Sequence, residues 1–321
     1  MSGTFTSTQE LEAAPVTFSE ALGAWAKIGL LSFGGPAGQI ALMHRVVVDE
    51  RKWLSERQFL SALNFCMLLP GPEAMQLVTY VGWRLHGIAG GLTAGLLFVM
   101  PGALVVMALS AFYAAFGNVP LVEAGFVGIK AAVLAIVVQA LAKVSQRALK
   151  GGGEWCIAAA AFAAIFLLKI PFPLIIMSAA LIGYLRGGAA AAEPVTTDAN
   201  GAPVSLAQTA RTVSIWLMVW IAPLGVLAFV LGPDHVLSNV SWFFSKLAVV
   251  TFGGAYAVLA YMAQEAVQHY NWLAPGEMLD GLGLAETTPG PLILVTEFVG
   301  FQAGFRAAAE HGPLAQWALA V

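Results

Sequence analysis

The stretch LLPGPEAMQL, residues 68–77, lies in an apolar run and puts two prolines, a glycine and a glutamate where a membrane helix carries leucine. Far downstream, ETTPGPLI at 286–293 does the same. Proline supplies no backbone N–H and disfavours helical geometry in the residue before it, so each Pro-Gly-Pro ends a helix. The glycine between them lets the backbone approach a neighbour closely. Two strong breakers serve no purpose in a plain spanning helix. Non-helical backbone at membrane depth is tolerated only where protein covers it or a water-filled cavity runs past it.

The rest of the chain reads as membrane protein. Of 321 residues, 59% are apolar and only 10% charged, with a mean hydropathy of +0.80. A soluble domain carries roughly 45–50% apolar and about 25% charged residues. The deficit in charge predicts an all-α polytopic integral membrane protein, because backbone in lipid must satisfy its own hydrogen bonds. A net charge of −3 offers no polybasic surface for nucleic acid. Cys66 and Cys156 lie in apolar runs and form neither a disulfide framework nor a metal motif. HExxH, Walker, G-x-S-x-G and Cys/His signatures are missing, so neither an enzyme nor a cofactor is expected. The polar N-terminal tail, 1–17, lacks the basic region and short apolar core of a cleavable signal peptide.

Apolar runs fall at about 18–43, 59–83, 88–113, 121–145, 155–170, 172–185, 213–231, 238–262 and 279–303. The last short pair, 155–170 and 172–185, reads either as a hairpin or as one helix kinked at Pro171 and Pro173. Residues 186–212 are polar and rich in Ala, Gly and Pro, a flexible linker. They separate two related halves, 18–185 and 213–321. A shift of 219 positions lays KIGLLSFGG (27–35) on KLAVVTFGG (246–254), Trp53-Leu54 on Trp272-Leu273, and Pro70-Gly71-Pro72 on Pro289-Gly290-Pro291. Such residues are not interchangeable apolar filler, so the chain is an internal duplication.

Charge orients the halves. The connector 44–57 holds Arg45, Arg51, Lys52 and Arg57, whereas its counterpart 263–277 holds no Lys or Arg. The positive-inside rule puts the first in the cytoplasm and leaves the second free to face out, the pattern of two inverted-topology repeats. If every run crossed fully, the cluster Lys143, Arg147, Lys150 would lie outside. If the runs holding FGG or PGP are broken or re-entrant, every basic cluster, the N-terminus and the linker fall inside. Trp53, Trp83, Trp242 and Trp272 then read as interfacial anchors.

A helix that restarts at a break offers free N–H groups and a positive dipole end, which bind anions. Gly34, Gly35, Gly71, Gly253, Gly254 and Gly290 give the backbone room there. Ser32, Gln39 and Gln76 in the first half, and Thr251, Thr287 and Thr288 in the second, add uncharged donors suited to an oxyanion. Lys27 and Lys246 are repeat-equivalent. A mid-membrane charge costs roughly 2.5–3.5 kcal/mol, so they either compensate a dianion or snorkel to an interface. Glu73 and Glu286 flank the two motifs and, with Arg45 and Arg84, are candidates for gating, proton relay or a purely structural pairing.

SFGGPAGQIALMHR (32–45), ERKWLSERQFL (50–60), LLPGPEAMQL (68–77), FGGAYAVL (252–259) and GLAETTPGPL (283–292) together resemble the chromate ion transporter family. The resemblance covers nearly the whole chain. It implies a secondary transporter of the bacterial inner membrane that exports chromate and confers chromate resistance, with sulfate as competitor and lipid as neighbour. A homodimer is left open. Transport of sulfate or another tetrahedral oxyanion, and a non-transporting scaffold, are the rival readings. One departure stands out: the counterparts of 92–145 are absent from the second half, so that repeat is expected to lack its last helices.

Overall fold

The computed structural model describes residues 16–117, 119–149, 151–168, 170, 172–186, 205–251, 256–309 and 312–321, and every regular element among them is helical. Thr17 starts α1 (Phe18–Leu31) by accepting the Glu20 N–H at 3.3 Å. FGG ends α1, and Gly34, at φ +85° in the left-handed region, opens α2 (Gly35–His44). A π-helical turn, Arg45–Glu50, follows. Ser55 and Gln58 form a capping box at the start of α3 (Glu56–Leu68). Pro-Gly-Pro separates α3 from α4 (Glu73–Phe116). The breakers therefore cut the apolar runs where the sequence reading places the cuts.

α4 is not one rod. Its backbone leaves helical geometry at His86 and at Gly87, where φ is +61°. The two arms, α4a (73–85) and α4b (88–116), fold back on each other. A side chain at Gly82 would run into the Gly90 carbonyl and Ala94, one at Gly91 would lie 3.1 Å from Trp83, and one at Gly95 2.8 Å from Thr79. These pairings run in opposite directions along the chain, so the arms are antiparallel, with glycines in the seam. At about 1.5 Å per residue α4a is only about 20 Å long, well short of a bilayer core of about 30 Å. α4b, at about 43 Å, exceeds it. α1 lies against α4b where Pro101 has removed the helical donor to the Leu97 carbonyl; the bare Cα of Gly29 abuts that oxygen. Trp25, Ile28, Met43, Phe59, Leu77 and Phe98 fill the core between these helices.

α5 (Pro120–Ala148), α6 (Gly152–Phe166), α7 (Phe172–Arg186) and α8 (Leu206–Leu231) follow. α6 and α7 are two separate helices. α8 begins inside the stretch read as linker, because Leu206, Ala207, Gln208 and Arg211 are good helix formers; 187–204 lies outside the described residues. α9 (Val236–Val250), α10 (Tyr256–Ala263), a second π-helical turn (Gln264–His269), α11 (Pro275–Thr287), a 3₁₀ turn (Leu292–Leu294), α12 (Val295–Ala307) and α13 (Pro313–Ala320) complete the chain. α11 and α12 also double back. Gly281 faces the Phe298 ring, and Arg306 at the end of α12 is ion-paired with Glu277 at the start of α11.

Local backbone recurs at the spacing of the repeat. The π-helical turns start at Arg45 and Gln264, 219 positions apart. Lys52 and Asn271, both non-glycine, sit at φ +53° and +54°. The Trp53 N–H donates to Val47 O at 2.8 Å, and that of Trp272 to Ala266 O at 2.8 Å. Trp272 itself is 7% exposed and stacked on Tyr270 at 4.3 Å, so it packs inside the fold rather than anchoring at an interface.

The chain divides into two compact units: residues 1–123 with 251–257 and 279–298, and residues 124–250 with 258–278 and 299–321. Both Pro-Gly-Pro breaks belong to the first.

In the first connector, His44 closes α2 and its Nε2 lies 2.6 Å from Glu56 Oε2, with Asp49 3.4 Å from Nδ1. The Glu56 hydrogen bond raises the histidine above its ordinary value of 6.5. Protonated His44 therefore ties α2 to α3 fully below about pH 6.5, and the tie fades as pH rises through the raised value. Titration of the His44 ring by NMR is expected to give a midpoint above 6.5 that falls back in Glu56→Gln.

Candidate functional site

The residues flanking both breaks meet in the first unit. The Gly71 N–H donates to the Thr251 carbonyl at 2.7 Å. The Gly290 N–H donates to the Ser32 carbonyl at 3.1 Å and to its Oγ at 2.9 Å. Gly71 and Gly290 are repeat-equivalent, and so are Thr251 and Ser32. The same bond is thus made in both directions. Gly71 (φ +108°) and Gly290 (φ +93°) hold a conformation that side chains disfavour.

α4b supplies the floor. A side chain at Gly102 would strike the Pro289 carbonyl and Leu294, and one at Gly290 would come within 3.4 Å of the Gly102 Cα. Gly102 stands fourteen residues beyond Ile88, about 21 Å along α4b from the His86–Gly87 turn. Glu73 stands about 18 Å along α4a from its end at Leu85. Both breaks therefore lie at similar distances from that turn.

Of the side-chain donors named from sequence, Ser32, Gln39, Gln76, Thr287 and Thr288 each give a proton to a backbone carbonyl. Ser32 Oγ donates to Gly29 O at 2.8 Å. Gln39, 1% exposed, directs Nε2 at Gly290 O (2.6 Å) and Ser32 O (3.2 Å). Gln76 Nε2 donates to Pro70 O at 2.6 Å, and its Oε1 is buried without a hydrogen-bond partner. Thr288 Oγ1 donates to Ala285 O at 3.2 Å, and Thr287 Oγ1 to Gly283 O at 2.9 Å. The helix starts at Gly35 and Glu73 have no side-chain cap. Gly34 adds open space, with nothing within 4 Å of the position a side chain would take. Gly253 and Gly254 lie outside the described residues.

The charged candidates are not gathered here. Lys27 Nζ lies 3.0 Å from Glu50 Oε2 and is about half exposed. Lys246 is exposed on α9, and the position equivalent to Glu50 is His269. Arg45 is exposed, and Arg84 Nη1 reaches the Tyr80 hydroxyl at 3.3 Å. Glu73 and Glu286 are half-buried beside their breaks. Sequence reasoning missed Gly102; the adjacent Pro101 was the available signal.

Gln39→Leu strands the Gly290 carbonyl and leaves the Ser32 carbonyl only the Gly290 N–H. Each lost partner costs about 1–3 kcal/mol. The expected result is a Tm lower by several degrees at unchanged helix content, measured on purified protein.

A protein-family model described as Chromate transporter matches residues 19–184 and 238–313, which include both breaks. The chain belongs to the chromate transporter family. It is 34% identical to a chromate transport protein of Pseudomonas aeruginosa, over 92% of this chain and 69% of that protein. It is 30% identical to a probable chromate transport protein of Synechococcus elongatus, over 87% of this chain and 68% of that one. An uncharacterized transporter of Bacillus subtilis is 32% identical over 40% of this chain and 66% of its own length. No solved structure matches this chain.

Proposed function

We propose that this chain carries chromate outward across the bacterial inner membrane, through a site formed where its two Pro-Gly-Pro breaks meet. The observation that carries this reading is the reciprocal pair of bonds, Gly71 to Thr251 and Gly290 to Ser32. A two-fold axis relating two repeats produces such an exchange. With the axis in the membrane plane the repeats are inverted, and both break-bearing hairpins enter the bilayer and return. The short α4a, the doubling-back of α11 and α12, and the arginine asymmetry of the connectors all favour that arrangement. So does a Bacillus relative short enough for 40% of this chain to fill two thirds of it. α8 has no buried residue, is about 39 Å long and apolar, and fits a lipid-facing span.

The anion is held by backbone amides at the restarting helices, with the side chains bracing the breaks. Charge compensation falls on helix dipoles rather than on Lys27, which Glu50 already neutralises. Lys27→Gln is therefore expected to leave transport nearly intact. An inside-negative potential is worth roughly 2.3 kcal/mol per charge per 100 mV, so a dianion gains about 4.6 kcal/mol on leaving. Export needs no coupled ion.

Amide donors discriminate poorly between oxyanions of equal charge and shape, which keeps sulfate as the second reading. A competition series on purified protein, with labelled chromate displaced by sulfate, molybdate and phosphate at fixed pH, decides between them. Chromate is expected to bind at least as tightly as sulfate. Much tighter sulfate binding would move the assignment to sulfate.

A further inference from the structure

The second unit holds a cavity of about 490 Å³ that the anion site does not use. Small-molecule sites usually measure roughly 300–1,000 Å³. Every residue lining the cavity belongs to that unit. Asp234, in the turn between α8 and α9, lines it together with Asn239 of α9. Asn239 Nδ2 donates to the Asp234 carbonyl at 3.1 Å and holds the turn. Asp234 is exposed, and its carboxylate makes no hydrogen bond or ion pair among the described residues. Tyr270 and Trp272, stacked at 4.3 Å, add an aromatic wall. Arg306 supplies a cation. Its Nη1 donates to Trp272 O at 3.0 Å and its Nη2 to Glu277. A guanidinium has five N–H donors, so three are left for a ligand.

The first half is charged differently at the equivalent place. At the shift of 219, Asn239 and Tyr270 fall on Glu20 and Arg51, which are ion-paired. Asn271 and Ala303, also in the cavity wall, fall on Lys52 and Arg84. Three cations thus face one carboxylate in the first half. In the second, Arg306 stands against Asp234 and Glu277. That balance repels a free dianion. It suits a ligand carrying both a phosphate and an ammonium: arginine pairs with phosphate, and a carboxylate beside aromatic faces attracts an ammonium. The neighbouring helix says where such a ligand comes from. α8 is apolar, has no buried residue and ends at Leu231, three positions before Asp234. Acyl chains lying along α8 bring their headgroups to the cavity.

We propose that this cavity seats the headgroup of a zwitterionic phospholipid, its phosphate on Arg306 and its ammonium on Asp234 beside the Tyr270–Trp272 stack. With the repeats inverted as proposed above, the lipid belongs to the outer leaflet. Only the choice of leaflet rests on that reading.

The test uses the purified full chain in detergent, with bound lipid counted by native mass spectrometry. The probes share one set of acyl chains: phosphatidylethanolamine, anionic phosphatidylglycerol, and a trimethylammonium lipid without phosphate. Wild-type protein is expected to retain phosphatidylethanolamine about tenfold over either, as one hydrogen bond to a charged group is worth. Asp234→Lys is expected to reverse the order in favour of phosphatidylglycerol. If the lysine variant does not fold, Asp234→Asn decides, and it should bring the two phosphate lipids level. Equal retention of all three by wild-type protein overturns the proposal, as does an unchanged order in the Asp234 variant. Glycerophosphoethanolamine, the same headgroup without chains, should displace the lipid only in large excess. Displacement by it at equal concentration, or by inorganic phosphate, would make the occupant a soluble molecule and overturn the lipid assignment. No arm involves chromate, so a failure of the transport reading would leave these results standing.

Discussion

Gly290→Leu is expected to abolish chromate resistance while the protein still reaches the membrane. Gly290 sits at φ +93°, which costs a residue with a Cβ about 1–2 kcal/mol. Its side chain would also point at Leu294, 3.1 Å away, and at the Gly102 Cα, 3.4 Å away. Overpacking of that kind adds about 1–3 kcal/mol. The strain falls on a turn whose N–H is bonded to Ser32 and whose carbonyl is bonded to Gln39. Both bonds are lost if the turn shifts. Gly71→Leu strains the equivalent turn at φ +108°, but its nearest obstacle is the flexible Gln76 amide at 3.1 Å. It is expected to abolish resistance too, with a smaller loss of stability. Growth on chromate, read beside the amount of protein in the membrane fraction, checks both. A silent Gly71→Leu would reduce the first motif to a structural kink and remove the symmetric site.

Gly102→Val has the second largest expected effect. Here the obstacle is backbone: a Cβ at Gly102 meets the Pro289 carbonyl, which cannot move without moving the break. Even Gly102→Ala should lower resistance, and Gly102→Val should remove it, with destabilisation of about 1–3 kcal/mol. Gly128→Val on α5 is the control for helix propensity. Nothing lies within 4 Å of a Cβ there, so resistance should persist.

Much of this architecture is written locally. Pro70 and Pro72, and Pro289 and Pro291, each pair astride a glycine, break a helix more strongly than the lone Pro101 that α4b absorbs, so the ends of α3 and α11 follow from sequence. The gap left between the apolar runs at 83 and 88 falls on the His86–Gly87 turn. Long-range contacts are not written locally. That Pro289 rests on Gly102, or that Tyr113 finds Asp280, depends on how separate segments pack. For the same reason Ser32, Gln39 and Thr288 were legible as residents of the breaks, but not that each spends its proton on a neighbouring carbonyl. The π-helical turns also escaped. One extra residue in a helical turn leaves no mark in composition or periodicity.

The central claim is that chromate leaves the cytoplasm through the paired breaks, driven by its own charge. Labelled chromate uptake into everted membrane vesicles, with and without an interior-positive potential, tests it most directly. Saturable uptake that rises steeply with the potential, and vanishes in Gly290→Leu, is the predicted result. Uptake indifferent to the potential, or unchanged in Gly290→Leu at equal protein, would contradict it.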